Sequence, residues 1–409
     1  MVDAEVGPSP DAPPALDVQA ATRTVTTASH SSRHRAPTTV PPLPSRRAPG
    51  AGWPKSTAGR PARTWQARPM TVVARAPGRV NLIGEHTDTT GGLVLPMAID
   101  RRTVVEIERG GSTLHLVSDD EPDAAVVALG SSVPPAEVHP VWARYVAGVV
   151  EVLRPAVGGR GRVRTDVPIG AGLSSSAALE VAVALALGFE GTPIELARAC
   201  QSAEQVASGV PCGIMDQLAS AAGVEGHALL VDCHTLDVEP VQIPDGLRIV
   251  VVDSGQRRAL ATSEYGARRA QCEAAEAAIG PLRSATVADV ERIADAVLRR
   301  RARHVVTENE RVRAAVAALR EGAVDELGSL LVDGHRSLRN DFEVSTAVLD
   351  ELVEALCRRP GVHGARLTGA GFGGCCVALL DADAEVPDLG VRSWVVRPSA
   401  GASVVQAPT

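Results

Sequence analysis

The chain has 409 residues, enough for a two-domain or large single-domain core. It is 45% hydrophobic and 22% charged, the balance of a globular protein, and aromatics make up only 2%, so Val, Leu, Ile and Ala must fill the core. No apolar run reaches the roughly 18 residues of a membrane-spanning helix, and the net charge of −7 argues against a nucleic-acid partner.

Residues 1–69 differ from the rest. They are rich in Pro, Ala, Ser, Thr and Arg and carry a net charge of +5, which leaves −12 on the remainder. Such a composition predicts a disordered low-complexity tail. A second reading stays open, in which Met70 is the true start and the preceding residues are a mis-called extension. The first residues lack the basic-then-apolar pattern of a secretory signal, and seven cysteines at irregular spacings read as free thiols. Both point to the cytoplasm. "PCG" (211–213) and "GCC" (374–376) lack metal-ligand spacing. The one lysine, Lys55, lies in the tail, which removes Schiff-base chemistry and the Walker lysine from the folded part.

Along the chain, "TVVARAPGRVNLIGEH" opens as a strand interrupted at Pro77, and "LVLPMAID" and "RTVVEIER" read as two further strands. "VWARYVAGVVEVLRPA" has helical apolar spacing and a Pro stop. "GRVRTDVPI" alternates as a strand, and "SSAALEVAVALALGF" and "PIELARACQSAEQVAS" read as helices. "HALLVDC" and "LRIVVVDSG" are strands, 263 to about 357 is mostly helical, and "GARLTGAGFGGCCVALLD" closes as strand, glycine loop, strand. Strands and helices mix without regular alternation, which predicts an α+β fold.

Four stretches carry chemistry. "GRVNLIGEHTDTTGG" (78–92) gathers Arg79, Glu85, His86 and Asp88 between glycines, a cluster suited to a small polar ligand. "PIGAGLSSSAALE" (168–180) runs from a strand through Gly170 and Gly172 to Ser174, Ser175 and Ser176 at a helix start. Unpaired N–H groups and hydroxyls there make a phosphate cradle, although a serine N-cap on a glycine turn would look the same. A Rossmann reading fails because Ser175 stands where the third glycine is needed. "GVPCGIMDQLAS" (209–220) sets Asp216 in an otherwise apolar stretch, readable as a functional carboxylate or as a helix cap. Glu204 precedes it by twelve residues, but Gly209 and Pro211 break the helical count, so spacing does not place the two on one face. "LTGAGFGGCC" (367–376) is a glycine loop or a tight hairpin turn.

Together these four stretches resemble the galactokinase family of the GHMP small-molecule kinase superfamily, over about residues 70–396 and in the family's order. The resemblance implies a two-lobed GHMP kinase fold: a ribosomal-protein-S5-like N-terminal lobe (70–246), a ferredoxin-like C-terminal lobe (247–409) and an active site between them. It implies ATP-dependent phosphorylation of the anomeric (C1) hydroxyl of D-galactose to galactose 1-phosphate, the first step of the Leloir pathway. By the same resemblance Glu85, His86, Asp88, Gly213 and Tyr265 bind the sugar. Gly170, Gly172, Ser174, Ser175 and Ser176 bind ATP, and Ser176 and Glu204 hold Mg²⁺. Asp216, paired with Arg79, is the catalytic carboxylate. A cation so close keeps that carboxylate ionised and weakens it as a base, so proton transfer is expected late. The expected partners are galactose and ATP, with no nucleic acid and no membrane, and the expected state is a monomer. Where the family reads His-Thr-Asp-Tyr-Asn, this chain has Thr89 and Thr90, a departure expected to reshape one wall of the sugar pocket. Two rivals share the fold: a kinase for N-acetylgalactosamine, arabinose or another sugar, and a non-catalytic galactose sensor. The intact run from Ser174 to Ala178 and the presence of Asp216 favour the enzyme.

Overall fold

The computed structural model describes residues 71–256 and 261–406; the readings made for 1–69 lie outside the described residues. The expected α+β class holds. The first part of the chain builds β1 (Thr71–Asn81), β2 (Leu93–Val94), β3 (Pro96–Arg109), β4 (Thr113–Ser118) and β5 (Ala125–Ala128). Then come α1 (Ala143–Leu153), β6 (Gly159–Thr165), α2 (Ser175–Ala186), α3 (Pro193–Ser208) and α4 (Met215–Ala222). β7 (His227–Asp232), β8 (Val238–Gln242) and β9 (Leu247–Asp253) follow. The later part contributes α5 (Ala261–Ile279), α6 (Val287–Val290), α7 (Ala296–Glu321), α8 (Val324–Ser337) and α9 (Ala347–Cys357). It ends with β10 (Val362–Thr368), β11 (Cys375–Asp381), β12 (Ser393–Val396) and β13 (Ser403–Gln406).

The strands form a sheet ordered β13-β1-β3-β6-β4-β5, a second ordered β10-β11-β9-β12, and a small third, β2-β7-β8. Every pairing is antiparallel except β4 with β6. Three apolar clusters hold these layers. One packs α1 to α4 on the first sheet, for example Val146, Val181, Leu218 and Ile107. Another packs α7, α9 and the second sheet, through Val305, Leu349 and Leu367. The third, with Leu82, Ile99, Val251, Val312 and Val377, joins the first sheet to the second. Few aromatics take part, as the composition requires. Among the described residues no helix is long and apolar enough to cross a membrane.

Two details of the strands position the site. β1 runs through Pro77 rather than stopping there, but its pairing with β3 shifts register between Pro77 and Arg79. This bulge re-aims the side chain that follows. A Cβ on Gly78 would come within 2.7 Å of the Leu173 carbonyl, so glycine allows β1 to lie against the phosphate-cradle loop. Second, the stretch read as two strands is one long strand from Pro96, while Leu93 and Val94 pair with β7 in the third sheet. Pro96 cannot donate to a ladder and sits where such a residue is tolerated, at a strand start.

Candidate active site

Arg79 leaves the β1 bulge and meets Asp216 in the first turn of α4. Its Nε donates to Asp216 Oδ1 at 2.8 Å and its Nη2 to Oδ2 at 2.6 Å, a bidentate pair. Its Nη1 donates to the Gly172 carbonyl at 2.7 Å. The guanidinium thus ties β1, the glycine loop and α4 together, and the side chain is only 6% exposed. Ser174 takes the N-cap position of α2 in the left-handed region (φ 58°), yet its hydroxyl does not cap the helix. It donates to Asp216 Oδ2 instead. The readings of Ser174 as a cap and of Asp216 as a cap therefore both give way to one contact across 42 residues.

Two cavities open on either side of this pair. The larger, about 620 Å³, is lined by Gly170, Gly172 and Ser174 to Ser176, with Trp142 and Tyr145 at the start of α1. Gly170 (φ 76°) and Gly172 (φ 84°) adopt the left-handed conformation that the cradle was expected to need. Ser176 Oγ donates to Glu204 Oε1 at 3.0 Å, so α2 and α3 present a hydroxyl and a carboxylate at one point. Burial, then the neighbouring Asp216, pushes the Glu204 carboxyl up to about 7. Among the described residues Arg79 pairs with Asp216 and no cation pairs with Glu204, and the hard oxygens of Ser176 and Glu204 fit Mg²⁺.

The smaller cavity, about 200 Å³, is lined by Glu85, His86, Asp88, Gly213 and Tyr265, with Cys212 and the Gly369–Ala370 stretch of the glycine loop. All five residues that the family resemblance implies for a sugar therefore come together, from the β1–β2 loop, the α3–α4 loop and α5. Arg79, Glu204 and Asp216 line both cavities. Gly213 is required: a Cβ there would lie 1.8 Å from Asp88 Oδ2. Burial lifts the Asp88 carboxyl to about 6, with Asp216 adding to it. His86, in the left-handed region at φ 65°, is held between Phe342 (ring centroids 4.5 Å apart) and Tyr265 (5.6 Å). Burial lowers it to about 3, so the ring is neutral, and its Nε2 is buried without a partner. A neutral ring nitrogen, carboxylates and a phenol make a surface for hydroxyl groups rather than for a charged ligand.

Comparisons with known proteins agree with this geometry. Residues 63–109 match the galactokinase galactose-binding signature, 144–224 the GHMP kinases N-terminal domain and 315–388 the GHMP kinases C-terminal model. Human galactokinase is 46% identical over 336 residues, covering 78% of this chain and 86% of that protein. The galactokinase of Chloroflexus aggregans is 44% identical over 337 residues, covering 77% and 85%. The chain belongs to the galactokinase family. It is accordingly an enzyme, a kinase with ATP as co-substrate and galactokinase function. Among solved structures, Lactococcus lactis galactokinase complexed with galactose superposes with a TM-score of 0.75 at 31% identity, over 81% of this chain and 95% of that one. Methanococcus jannaschii mevalonate kinase, at 20% identity and a TM-score of 0.60 over 82% and 99%, shares the fold.

Against the galactokinase pattern, Thr89 and Thr90 turn out to stand off the sugar-sized cavity. Neither lines it; the Thr90 hydroxyl donates to the Thr87 carbonyl at 2.9 Å and the Thr89 N–H to Asp88 Oδ1 at 3.0 Å. Several residues of this galactokinase site escaped the sequence reading. Arg366 in β10 is fully buried and pairs with Glu85 at 2.5 Å and with Glu308 of α7 at 2.8 Å. Glu308 also accepts from the Gly84 N–H at 2.9 Å and from Arg311 at 2.7 Å. Although burial opposes it, Arg366 and Arg311 hold the Glu308 carboxyl well below its usual range. A Cβ on Gly334 would come within 2.6 Å of the Arg366 guanidinium, so α8 leaves room for it. Burial, partly offset by Arg366, puts Glu85 at about 7. This buried set fastens the start of the sugar loop to the second sheet. Only a charge set among apolar residues in "GARLTG" could have marked Arg366.

Proposed function

We propose that phosphoryl transfer from ATP to the anomeric hydroxyl of D-galactose takes place at the wall the two cavities share, giving galactose 1-phosphate and ADP. In this reading the larger cavity takes the nucleotide and the smaller one the sugar. The observation that carries it is that Arg79, Asp216 and Glu204 line both cavities, while the sugar residues and the cradle residues each line one.

The smaller cavity would orient the sugar through Glu85, Asp88 and the Tyr265 phenol, with the His86 ring nitrogen supplying an acceptor. Charged acceptors make the stronger hydrogen bonds to hydroxyls. Asp216 would receive the proton of the attacking hydroxyl, and the bidentate Arg79 fixes its orientation. Arg79 also offers positive charge to the phosphoryl oxygens, which in this chemistry matters as much as the base. Gly170, Gly172 and the serines of the α2 start would hold the phosphates through backbone N–H groups and hydroxyls. Mg²⁺, held by Ser176 and Glu204, would neutralise charge on the β- and γ-phosphates. We read 70–246 and 247–409 as the two lobes, a division supported by the separate first and second sheets, although β13 crosses it to pair with β1 in the first sheet. A monomer acting in the cytoplasm is part of the same reading.

The role of Asp216 is tested by its alanine variant. Asp216→Ala should lower kcat by at least about 10²-fold, with the galactose dissociation constant changed only modestly. Near-normal turnover in that variant would remove Asp216 from the chemistry.

A further inference from the structure

α4 presents successive residues to different neighbours. Asp216 faces the two cavities, whereas Gln217 turns inward and is completely buried. Its amide nitrogen donates to Glu204 Oε2 and, at 3.2 Å, to Glu180 Oε2. Glu180 sits one turn beyond Ser176 on α2, on the same face, and is also completely buried. Among the described residues no cation pairs with Glu180; Glu180 Oε1 and Gln217 Oε1 are both buried without a hydrogen-bond partner. A polar pair left partly unsatisfied in a helix interface is costly, and apolar residues of similar size would serve packing better. The pair is linked to the cavity wall through Glu204, whose other oxygen accepts from Ser176.

We propose that Gln217, backed by Glu180, is a positioning residue that fixes the rotamer of Glu204, so that one carboxylate oxygen stays aimed with Ser176 at the metal of the nucleotide. This rests on Glu204 being that metal's carboxylate. The geometry is that of an outer-shell clamp: an amide donating to the ligand's far oxygen, anchored in turn by a buried acceptor. It also accounts for three helices meeting there through polar groups. α2 supplies Ser176 and Glu180, α3 supplies Glu204, and α4 supplies Gln217.

The test is the affinity of the full chain for Mn²⁺ together with a non-hydrolysable ATP analogue, read by electron paramagnetic resonance, beside galactose affinity by calorimetry. Gln217→Leu should weaken Mn²⁺ by about 10-fold or more while leaving the galactose constant within about twofold. Glu180→Leu should behave the same way, and Glu180→Gln, which keeps an acceptor for the Gln217 amide, should recover most of the loss. An unchanged Mn²⁺ constant in Gln217→Leu, alongside a weakened one in Glu204→Gln, would overturn the proposal and leave Glu204 in place. An unchanged constant in Glu204→Gln would bring down both. Equal losses of metal and galactose affinity in Gln217→Leu would show a merely structural role. Should that variant fail to fold, the two Glu180 variants decide: equal Mn²⁺ constants in Glu180→Leu and Glu180→Gln would refute the clamp.

Discussion

The two cavities are built from different material. One wall of the larger is a single short stretch, with left-handed glycines, a helix start and small hydroxyl side chains close together in sequence, and side chains such as Trp142, Tyr145 and Val163 line the rest. The smaller is shaped by side chains from the β1–β2 loop, the α3–α4 loop, α5 and the glycine loop after β10. Buried charges more than 200 residues apart in sequence fasten its lining, as where Arg366 pairs with Glu85. A phosphate presents the same oxygens in any nucleotide, and backbone N–H groups suffice for it. A sugar is told from its isomers by the direction of its hydroxyls, which requires fixed acceptors at particular points. Perturbing the sugar side should therefore change selectivity and affinity for the sugar, and leave the nucleotide side nearly untouched.

Gly213→Ala should separate the two sides most sharply. The new Cβ would collide with Asp88 Oδ2. Displacement of about an ångström at a reacting centre can cost about 10²-fold, so kcat/KM for galactose should fall by that order while KM for ATP stays within a few fold. Equal losses in both constants would mean that the cavities are not independent.

A smaller effect is expected from pH. Asp88, lifted by burial to about 6, and Glu85, lifted to about 7, carry their charge only above those values. Since a carboxylate accepts a hydroxyl better than a carboxylic acid does, galactose affinity measured without nucleotide should weaken as pH falls from 8 through about 6. Asp88→Asn should start from a weaker affinity and flatten the lower part of that limb. A limb unchanged in the variant would place the titration elsewhere.

The smallest effect should come from restoring the residues usual in the family. Because Thr89 and Thr90 do not line the smaller cavity, Thr89→Tyr with Thr90→Asn should shift KM for galactose by less than about threefold, a surface-sized change. A large change in sugar preference would show that the wall extends to them.

Much of this was legible in the sequence where the signal is local. The cradle from Gly170 to Ser176, the charged cluster from Glu85 to Asp88, and α3 from Pro193 to Ser208 with its Thr192 capping box are contiguous, and period and turn chemistry decide them. The rest depends on contacts that only tertiary structure makes. Gly209 and Pro211 break the helical count between Glu204 and Asp216, so only folding shows that both border the same two cavities. Arg366, Glu308 and Gln217 looked like ordinary members of a strand or helix, because their partners lie on other elements. β4, β5, β8, β12 and β13 went unread for another reason: they are short and lean on neighbouring strands, so even the alternating burial of β4 and β5 spans too few residues to stand out. Proline likewise misled at 77, where a bulge lets the strand continue.

The most direct test of the account is ADP release by the full chain with Mg-ATP, across galactose, N-acetylgalactosamine, arabinose, glucose and mevalonate. Turnover dominated by galactose is the predicted result. Turnover dominated by another sugar, or galactose binding without any ADP release, would contradict the assignment of the two cavities and of the wall between them.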